Sequence, residues 1–185
     1  MMIIDVSKLS FSTLSLSEAQ LGNLASLGYN EMTAIQAEAL PLALAGKDLI
    51  AQAKTGSGET AAFGLPLLAR LYPRDFGTQA LVLCPTRELA SQVATEIRRL
   101  ARYQQNIKVV TLCGGQSIGP QIGSLEHGAH IAVGTPGRVQ DHLQRGTLDL
   151  KGLKTLVLDE ADRMLDMGFY DVMTAIIKQT PNSRQ

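Results

Sequence analysis

Residues 53–60 combine glycines and hydroxyl side chains at a spacing that could bind phosphate. They read Ala-Lys-Thr-Gly-Ser-Gly-Glu-Thr and lie between a short apolar segment and a helical pattern. Glycines let backbone N–H groups curl around phosphate oxygens, and Thr60 would offer its hydroxyl to Mg²⁺. The spacing nearly matches a P-loop, but Glu59 occupies the position of the lysine that reaches the β- and γ-phosphates. By itself the segment fits an ordinary strand-to-helix turn equally well.

An acidic cluster, Asp159-Glu160-Ala161-Asp162, directly follows a predicted strand. Carboxylates at the carboxyl end of a buried strand hold Mg²⁺ in phosphoryl-transfer sites, and a neighbouring acid can orient or deprotonate the attacking water. The alternative is a helix N-terminus carrying acidic residues, which the helix macrodipole favours. The choice depends on whether the segment at 53–60 binds phosphate.

Short apolar runs predict the strands that would position these two segments. Runs rich in Val, Leu and Ile lie at 80–84, 107–112 and 153–158, with weaker ones at 48–52 and 130–133. Helical periodicity falls between them, including 60–72, 87–102 and 136–145. Because strand and helix alternate, we predict an α/β fold with a doubly wound, mostly parallel sheet and helices on both faces. Ligands of such sheets bind beyond the carboxyl ends of the strands.

Capping residues mark several of the helix starts. They are Ser17 with Gln20, Thr33 with Gln36, and Thr135 before Pro136. Some residues discussed below therefore have a structural explanation besides a functional one.

The composition fits one α/β-sized domain in a reducing cytoplasm. The chain has 185 residues, 45% hydrophobic and 18% charged, with zero net charge. It shows neither an export signal nor a membrane-spanning run, and no spacing among its histidines suggests a metal site. Cys84 and Cys113 lie in apolar runs, where buried thiols fit better than a disulfide or metal ligands. Residues 61–150 are the only basic part, with 9 basic and 6 acidic side chains.

Six motifs in order make the chain resemble the first RecA-like domain of a DEAD-box RNA helicase. They are Gly28-Tyr29 with Thr33-Ala34-Ile35-Gln36 (Q motif), 53–60 (motif I), Pro85-Thr86-Arg87-Glu88-Leu89-Ala90 (motif Ia), Gly114-Gly115, Thr135-Pro136-Gly137-Arg138 (motif Ib) and Asp159-Glu160-Ala161-Asp162 (motif II). Phe11, seventeen positions before Gly28, matches the family's upstream aromatic residue. The phrases LVLCPTRELA, TLCGGQ and DEADRMLDMGF are most similar to a bacterial ribosomal-RNA helicase of this family.

The resemblance implies an RecA-like P-loop domain that binds ATP and Mg²⁺. Gln36 would read the adenine through its amide, and Glu160 would be the hydrolytic base. Thr60 and Asp159 would hold Mg²⁺, and Asp162 would join the network that couples nucleotide to RNA. The residues around adenine and phosphates would be Phe11, Tyr29, Thr33, Gln36, Thr55, Gly56, Ser57, Gly58, Glu59 and Thr60.

The resemblance also implies RNA binding through phosphates. Hydroxyl, backbone N–H and guanidinium groups at strand-to-helix transitions can contact successive phosphates of one strand without reading its sequence. The residues implied are Pro85, Thr86, Arg87, Gly115, Thr135, Gly137 and Arg138. Considered alone, Thr86 and Thr135 are helix N-caps and Arg87 is a solvated surface residue.

The implied activity is that of an ATP-dependent RNA helicase, which couples hydrolysis of ATP to unwinding of RNA duplexes. We expect residues 1–185 to be its first RecA-like domain, ending before the Ser-Ala-Thr motif and the second domain. The expected partner is RNA, ribosomal RNA in a full-length protein, rather than DNA or a membrane. The alternative is a non-catalytic RNA-binding or dominant-negative fragment. A P-loop kinase of small molecules would leave 33–36 and the other motifs unexplained.

A gap in the sheet is a further expectation. By the resemblance, the strand ending in the Ser-Ala-Thr motif lies between the strand that feeds the P-loop and the strand ending at Asp159. We therefore expect exposed backbone beside the strand 153–158, or another segment in that space.

We predict that Glu59 severely weakens binding of Mg·ATP, because it removes a cation and places an anion near the triphosphate. A pair of unit charges 4 Å apart is worth roughly 4 kcal/mol at an effective dielectric of about 20, so we expect a loss of about 3 kcal/mol after relaxation. That corresponds to a hundredfold or more in affinity, roughly. Calorimetry on the chain and on its Glu59→Lys variant measures the difference. Equal micromolar affinities would contradict this interpretation of the loop.

Overall fold

The chain folds as two units, which are described separately. The computed structural model describes residues 9–54, 56 and 58–185. Unit 1 is the chain up to Ala69 with Glu96–Gln105, and unit 2 comprises Arg70–Thr95 with Asn106–Gln185. The Q motif and the loop at 53–60 therefore belong to unit 1, whereas motifs Ia, Ib and II belong to unit 2.

A parallel four-stranded sheet organises unit 2. Its strands, in the order β2-β3-β1-β4, are β1 Ala80–Leu83, β2 Val109–Leu112, β3 Ile131–Gly134 and β4 Thr155–Leu158. Ala80 is the register partner of Ile131 on one side and of Thr155 on the other. The central strands β1 and β3 are buried along their whole length, as in parallel sheets covered on both faces. The predicted α/β fold with a mostly parallel sheet is confirmed.

Helices make the crossovers between the strands. The helices of this part are α4 Arg87–Leu100, α5 Gly119–Glu126, α6 Pro136–Arg145, α7 Ala161–Asp166 and α8 Tyr170–Ile177. The predicted helix 136–145 has the bounds of α6, and the predicted helix 87–102 continues from α4 into a 3₁₀ turn at Ala101–Tyr103. Because the strands are parallel, the residues that follow them meet at one edge of the sheet.

The hydrogen-bond ladder continues one residue past three of the strands. The N–H groups of Cys84, Thr135 and Asp159 donate to the last carbonyl of a neighbouring strand over 2.9, 3.1 and 2.9 Å. Gly134 makes the close approach between β3 and β2 possible, because a Cβ there would lie 2.5 Å from the carbonyl oxygen of Leu112. The backbone is therefore fixed where the functional loops begin.

The predicted strand at 48–52 is wrong. These residues form no strand, and Ile50 is fully exposed. A strand exists only where a neighbour supplies hydrogen-bond partners. β4 pairs with β1 on one side. On its other side, in the part of the chain that the structure describes, the Gln185 N–H donates to the Lys154 carbonyl and the Gln185 carbonyl accepts from the Leu156 N–H, both over 2.9 Å. Gln185 thus lies beside β4, where the gap was expected.

Among the described residues, unit 1 contains three α-helices besides the end of α4. They are α1 Glu18–Ser26, α2 Ala34–Leu44 and α3 Glu59–Ala69, the last matching the predicted helix at 60–72. The capping box before α1 is confirmed, because Ser17 Oγ accepts from the Gln20 N–H over 3.1 Å and Gln20 Oε1 accepts from the Ser17 N–H over 3.2 Å. The fully buried side chains of unit 1 include Leu24, Leu40, Leu65, Leu67, Ile97 and Leu100.

The two thiols of unit 2 are buried, as the sequence predicts, whereas the Met-rich segment 164–167 is buried only in part. Cys84 and Cys113 are buried, and burial raises the pKa of both thiols, so both stay protonated at neutral pH. Met164 lies in the core, but Leu165 and Met167 are each 49% exposed, although hydropathy alone favours core positions for all three. The short helix α7 has only one buried face. No described helix is both long and apolar enough to cross a membrane.

Candidate nucleotide and RNA sites

A buried amide joins the Q motif to the phosphate-loop segment within unit 1. Gln36 is 1% exposed; its Oε1 accepts from the Thr33 N–H over 2.9 Å and its Nε2 donates to the Gly58 carbonyl over 3.0 Å. The first bond is one half of the capping box predicted from the spacing. An amide has a second N–H and a second oxygen lone pair, which is what bidentate recognition of adenine requires. The amide therefore holds the loop segment, and its second N–H and lone pair are the groups that would recognise a base.

The loop itself depends on glycine. Gly56 and Gly58 have φ angles of +84° and +87°, a region that other residues rarely adopt. A Cβ on Gly58 would lie 2.4 Å from Gln36 Nε2, whereas nothing described lies within 4 Å of one on Gly56. The predicted contacts Thr55 and Ser57 lie outside the described residues.

Glu59 and Thr60 are the first two residues of α3. A carboxylate in the first turn of a helix is stabilised by the helix macrodipole, so Glu59 suits the helix. A phosphate would bind at the same positive end. A carboxylate at position 59 and a bound phosphate would thus occupy the same favourable field.

The two aromatic residues assigned to the adenine site contact each other. Phe11 is 4% exposed and packs edge-on against Tyr29, with ring centroids 6.1 Å apart. The Tyr29 hydroxyl donates to Glu96 Oε1, and Arg99 pairs with Glu96 Oε2 over 2.8 Å. Burial, followed by the Glu96 carboxylate, raises the pKa of Tyr29, which keeps the hydroxyl a donor. Glu96 could not be predicted from local spacing, because it lies 67 residues from Tyr29.

Motif II begins where β4 ends. Asp159 is half-buried there, Asp162 is exposed in the first turn of α7, and Glu160 adopts a left-handed backbone with φ 51° and ψ 50°. That conformation is uncommon outside glycine and costs of order 1–3 kcal/mol, and such residues cluster at functional sites. Glu160 Oε2 pairs with Arg163 over 3.2 Å, a partner that the sequence interpretation missed although its i,i+3 spacing suggests it.

The candidate RNA residues of motif Ia, the Gly114-Gly115 segment and motif Ib lie together in unit 2. Gly115 has a φ of +75°, and a Cβ there would lie 2.9 Å from Arg87 NH1. Arg138 NH2 donates to the Gln116 carbonyl over 3.0 Å. A groove of about 680 Å³ opens beside them, lined by Arg87, Glu88, Ser91, Gln92, Thr95, Thr111, Cys113 and Gln116. Two guanidinium groups thus flank a glycine turn at one edge of the sheet.

The remaining candidate RNA residues combine structural and exposed positions. Thr86 caps α4, since its Oγ1 accepts from the Leu89 N–H over 3.2 Å. Thr135 occupies the N-cap position of α6, although its side chain makes no cap bond. Gly137 is exposed in the first turn of α6, whereas Pro85 is buried. Thr86 is therefore a helix N-cap, as its position in the sequence indicates. Both threonines lie at the start of a helix, which is where phosphates can bind.

Metal ligands do not cluster in the part of the chain that the structure describes: it contains no group of three His, Cys, Asp or Glu residues arranged to hold a metal ion. The predicted Mg²⁺ residues, Thr60 and Asp159, both offer oxygen, the ligand type that Mg²⁺ prefers. Mg²⁺ keeps several waters and is usually held by one or two carboxylates together with substrate phosphates, so a dedicated protein cage is not needed.

Comparison with known proteins identifies the family. The sequence model described as DEAD/DEAH box helicase matches residues 33–185, most of the chain. The chain belongs to this family.

Individual relatives agree. The chain is 63% identical to the ATP-dependent RNA helicase DbpA of Escherichia coli over 95% of the chain and 39% of DbpA. It is 47% identical to the DEAD-box ATP-dependent RNA helicase CshA of Bacillus cereus over 95% of the chain and 33% of CshA. The likeness inferred from the continuous phrases, which is to DbpA, is confirmed. The chain thus spans about two fifths or less of these relatives.

Solved structures confirm the RecA-like fold. A DEAD box protein from the hyperthermophile Methanococcus jannaschii superposes with a TM-score of 0.91 at 43% identity, over 96% of this chain and 48% of that one. S. cerevisiae Dbp5 bound to RNA and ADP BeF3 superposes with a TM-score of 0.86 at 34% identity, over 95% of this chain and 44% of that one.

We predict that Gly58→Ala destabilises the chain more than Gly56→Ala does. Both replacements carry the cost of a left-handed alanine, about 1–2 kcal/mol. Only the methyl group at 58 displaces the buried Gln36 amide, and a buried polar group that loses its partner costs a further 1–3 kcal/mol, roughly. Urea denaturation of the two variants measures the difference. Equal midpoints would show that Gln36 does not depend on the glycine beneath it.

Proposed function

We propose that this chain is the ATP-binding and RNA-binding N-terminal part of a helicase that couples hydrolysis of ATP to separation of RNA duplexes. The observation that carries the proposal is the Gln36 amide, which joins the adenine-reading motif to the phosphate-loop segment through bonds of 2.9 and 3.0 Å. A structural helix cap would need only the first of these bonds. The second makes sense if the two segments serve one nucleotide.

The nucleotide chemistry follows from the residue types. The second N–H and lone pair of Gln36 would pair with adenine, and the N–H groups of the glycine loop would bind phosphate. Thr60 and Asp159 would hold Mg²⁺, which neutralises charge that develops on the transferred phosphoryl group. Glu160 would accept the proton of the attacking water, and Asp162 would link the nucleotide to the RNA residues.

The RNA chemistry rests on the arrangement in unit 2. Arg87, Gly115 and Arg138 offer two guanidinium groups and a glycine turn side by side, with Thr86 and Thr135 at the adjacent helix starts. These groups suit phosphates rather than bases, so binding would be independent of sequence. The continuous phrases that resemble a bacterial ribosomal-RNA helicase lead us to propose ribosomal RNA as the substrate, with a role in ribosome biogenesis in the cytoplasm.

Glu59 favours a second candidate function, that of a non-catalytic RNA-binding fragment. A carboxylate at the phosphate-binding end of α3 opposes binding of a triphosphate, so the chain as it stands would be catalytically impaired. It would then act as a non-catalytic RNA-binding fragment, in line with the retained arrangement in unit 2.

We predict that the chain binds single-stranded RNA weakly and that affinity falls with salt. Three or four phosphate contacts give a slope of about −2 to −3 in log K against log salt, so affinity should fall at least tenfold, roughly, between 50 and 200 mM. Arg138→Ala should lower the magnitude of the slope by about 0.7. Fluorescence anisotropy with labelled oligouridine and oligocytidine measures both quantities.

The matched control is Arg145→Ala. Arg145 lies on the same helix, is 53% exposed and pairs with Asp141 over 2.7 Å, so its loss should leave the slope unchanged. Binding that is insensitive to salt, or that prefers one base strongly, would contradict the proposed phosphate interface.

A further inference from the structure

Gln121 is a buried side chain at the centre of a polar network in unit 2. It is 6% exposed, and its Nε2 donates to the Cys113 carbonyl over 3.0 Å. Its Oε1 accepts from Arg138 NH1 over 3.1 Å and lies 3.0 Å from His142 Nε2. Turning the amide over would place its NH₂ against the guanidinium donor, so these partners fix its orientation.

His142 holds Gln121 from the interior. The imidazole is completely buried, and burial, followed by the charge of Arg138, lowers the pKa of His142 and keeps the ring neutral. Because Gln121 Oε1 only accepts, the ring carries its proton on Nε2. Nδ1 then accepts from the Thr147 hydroxyl, which lies 2.8 Å away and closer to Nδ1 than to its other acceptor, the His142 carbonyl at 3.1 Å.

Arg138 is held in place by this network, whereas Arg87 is not held in the same way. Two arms of the Arg138 guanidinium donate to Gln121 and to the Gln116 carbonyl, which leaves its other N–H groups able to meet a phosphate. Arg87 is 53% exposed and forms a 3.4 Å contact with its neighbour Glu88. A guanidinium that is already fixed loses less conformational freedom when it binds a phosphate.

The same network fixes the glycine turn. Gln121 bonds the Cys113 carbonyl and Arg138 bonds the Gln116 carbonyl, so both ends of the segment 113–116 are tied to α5 and α6. Gly115, with its left-handed backbone, lies between these two bonds. The guanidinium and the turn therefore keep one relative position.

We propose that Gln121, held by His142, is a positioning residue for RNA binding that keeps Arg138 in the arrangement that meets the phosphates. This inference rests on the proposed RNA-binding function. Gln121 itself touches no RNA; it acts through Arg138.

The test compares Gln121→Met with Arg138→Ala and with the double variant. The methionine keeps the volume and removes both hydrogen-bonding ends, and we expect affinity for oligouridine to fall about fivefold, the equivalent of one ordinary hydrogen bond. The salt slope should fall by about 0.7, as in Arg138→Ala, because one phosphate contact is lost. The double variant should bind no more weakly than Arg138→Ala alone. Gln179→Met is the matched control. Gln179 is an exposed glutamine that follows α8, so this variant should bind like the wild-type chain.

A second pair of variants, at His142, separates a loss of RNA binding from a loss of folding. His142→Phe should reproduce the loss seen in Gln121→Met, and His142→Gln, which retains an N–H donor, should recover most of the affinity. Thermal unfolding identifies variants that remain folded at the binding temperature. If folded Gln121→Met binds with wild-type affinity and slope, or weakens binding further in the Arg138→Ala background, the positioning role is overturned and the proposed function stands. If the wild-type chain binds no RNA, the proposed function fails and the positioning role fails with it.

Discussion

The common carboxyl edge of three parallel strands is the constraint on which the candidate RNA site depends. β1, β2 and β3 each deliver a different motif to that edge, so the motifs meet although they lie far apart in sequence. The ladder bonds made by Cys84 and Thr135, just beyond β1 and β3, fix the backbone where the loops leave the sheet. Gly134 is part of the same constraint, because a larger residue would push β3 away from β2. The sheet therefore sets where the loops that carry the arginines begin before any RNA binds.

Buried glutamine amides have the same task in both units. An amide has an acceptor at one end and a donor at the other, so a buried one can hold two segments in a single orientation. Gln36 joins the backbone of Thr33 to that of Gly58, and Gln121 joins Arg138 to the backbone of Cys113. Breaking either amide would leave buried polar groups without partners, which is costly in an interior of low dielectric. Each candidate site thus depends on a buried amide that joins two segments of the chain.

The fold of unit 2 and most motif positions could be predicted from local sequence pattern. Apolar runs of four to six residues predicted all four strands, since a strand buried on both faces must be apolar along its length. The same pattern at 48–52 predicted a strand that the structure does not contain, because an apolar run forms a strand only when a neighbouring strand pairs with it. Met164 is buried and its neighbour Leu165 is exposed for a similar reason, because hydropathy alone does not show which face of a short helix packs against the core.

Tertiary partners could not be predicted. Glu96 reaches Tyr29 across 67 residues and His142 reaches Gln121 across 21, and neither pair has a local spacing that reveals it. Sequence could show that Gln36 caps a helix, but not that its other end holds Gly58. The motifs thus indicate candidate groups for the chemistry, and the three-dimensional structure shows which groups hold those candidates in place.

The most direct test of the carboxyl-edge interface is an NMR titration of the isotope-labelled chain with oligouridine, observing backbone amides. If the edge binds RNA phosphates, the largest shifts fall at 86–88, 114–116 and 135–138, the residues that follow β1, β2 and β3. The amides of α8, Tyr170–Ile177, provide the internal reference and should change little. Shifts concentrated in α8 and absent from the three loops would contradict the account.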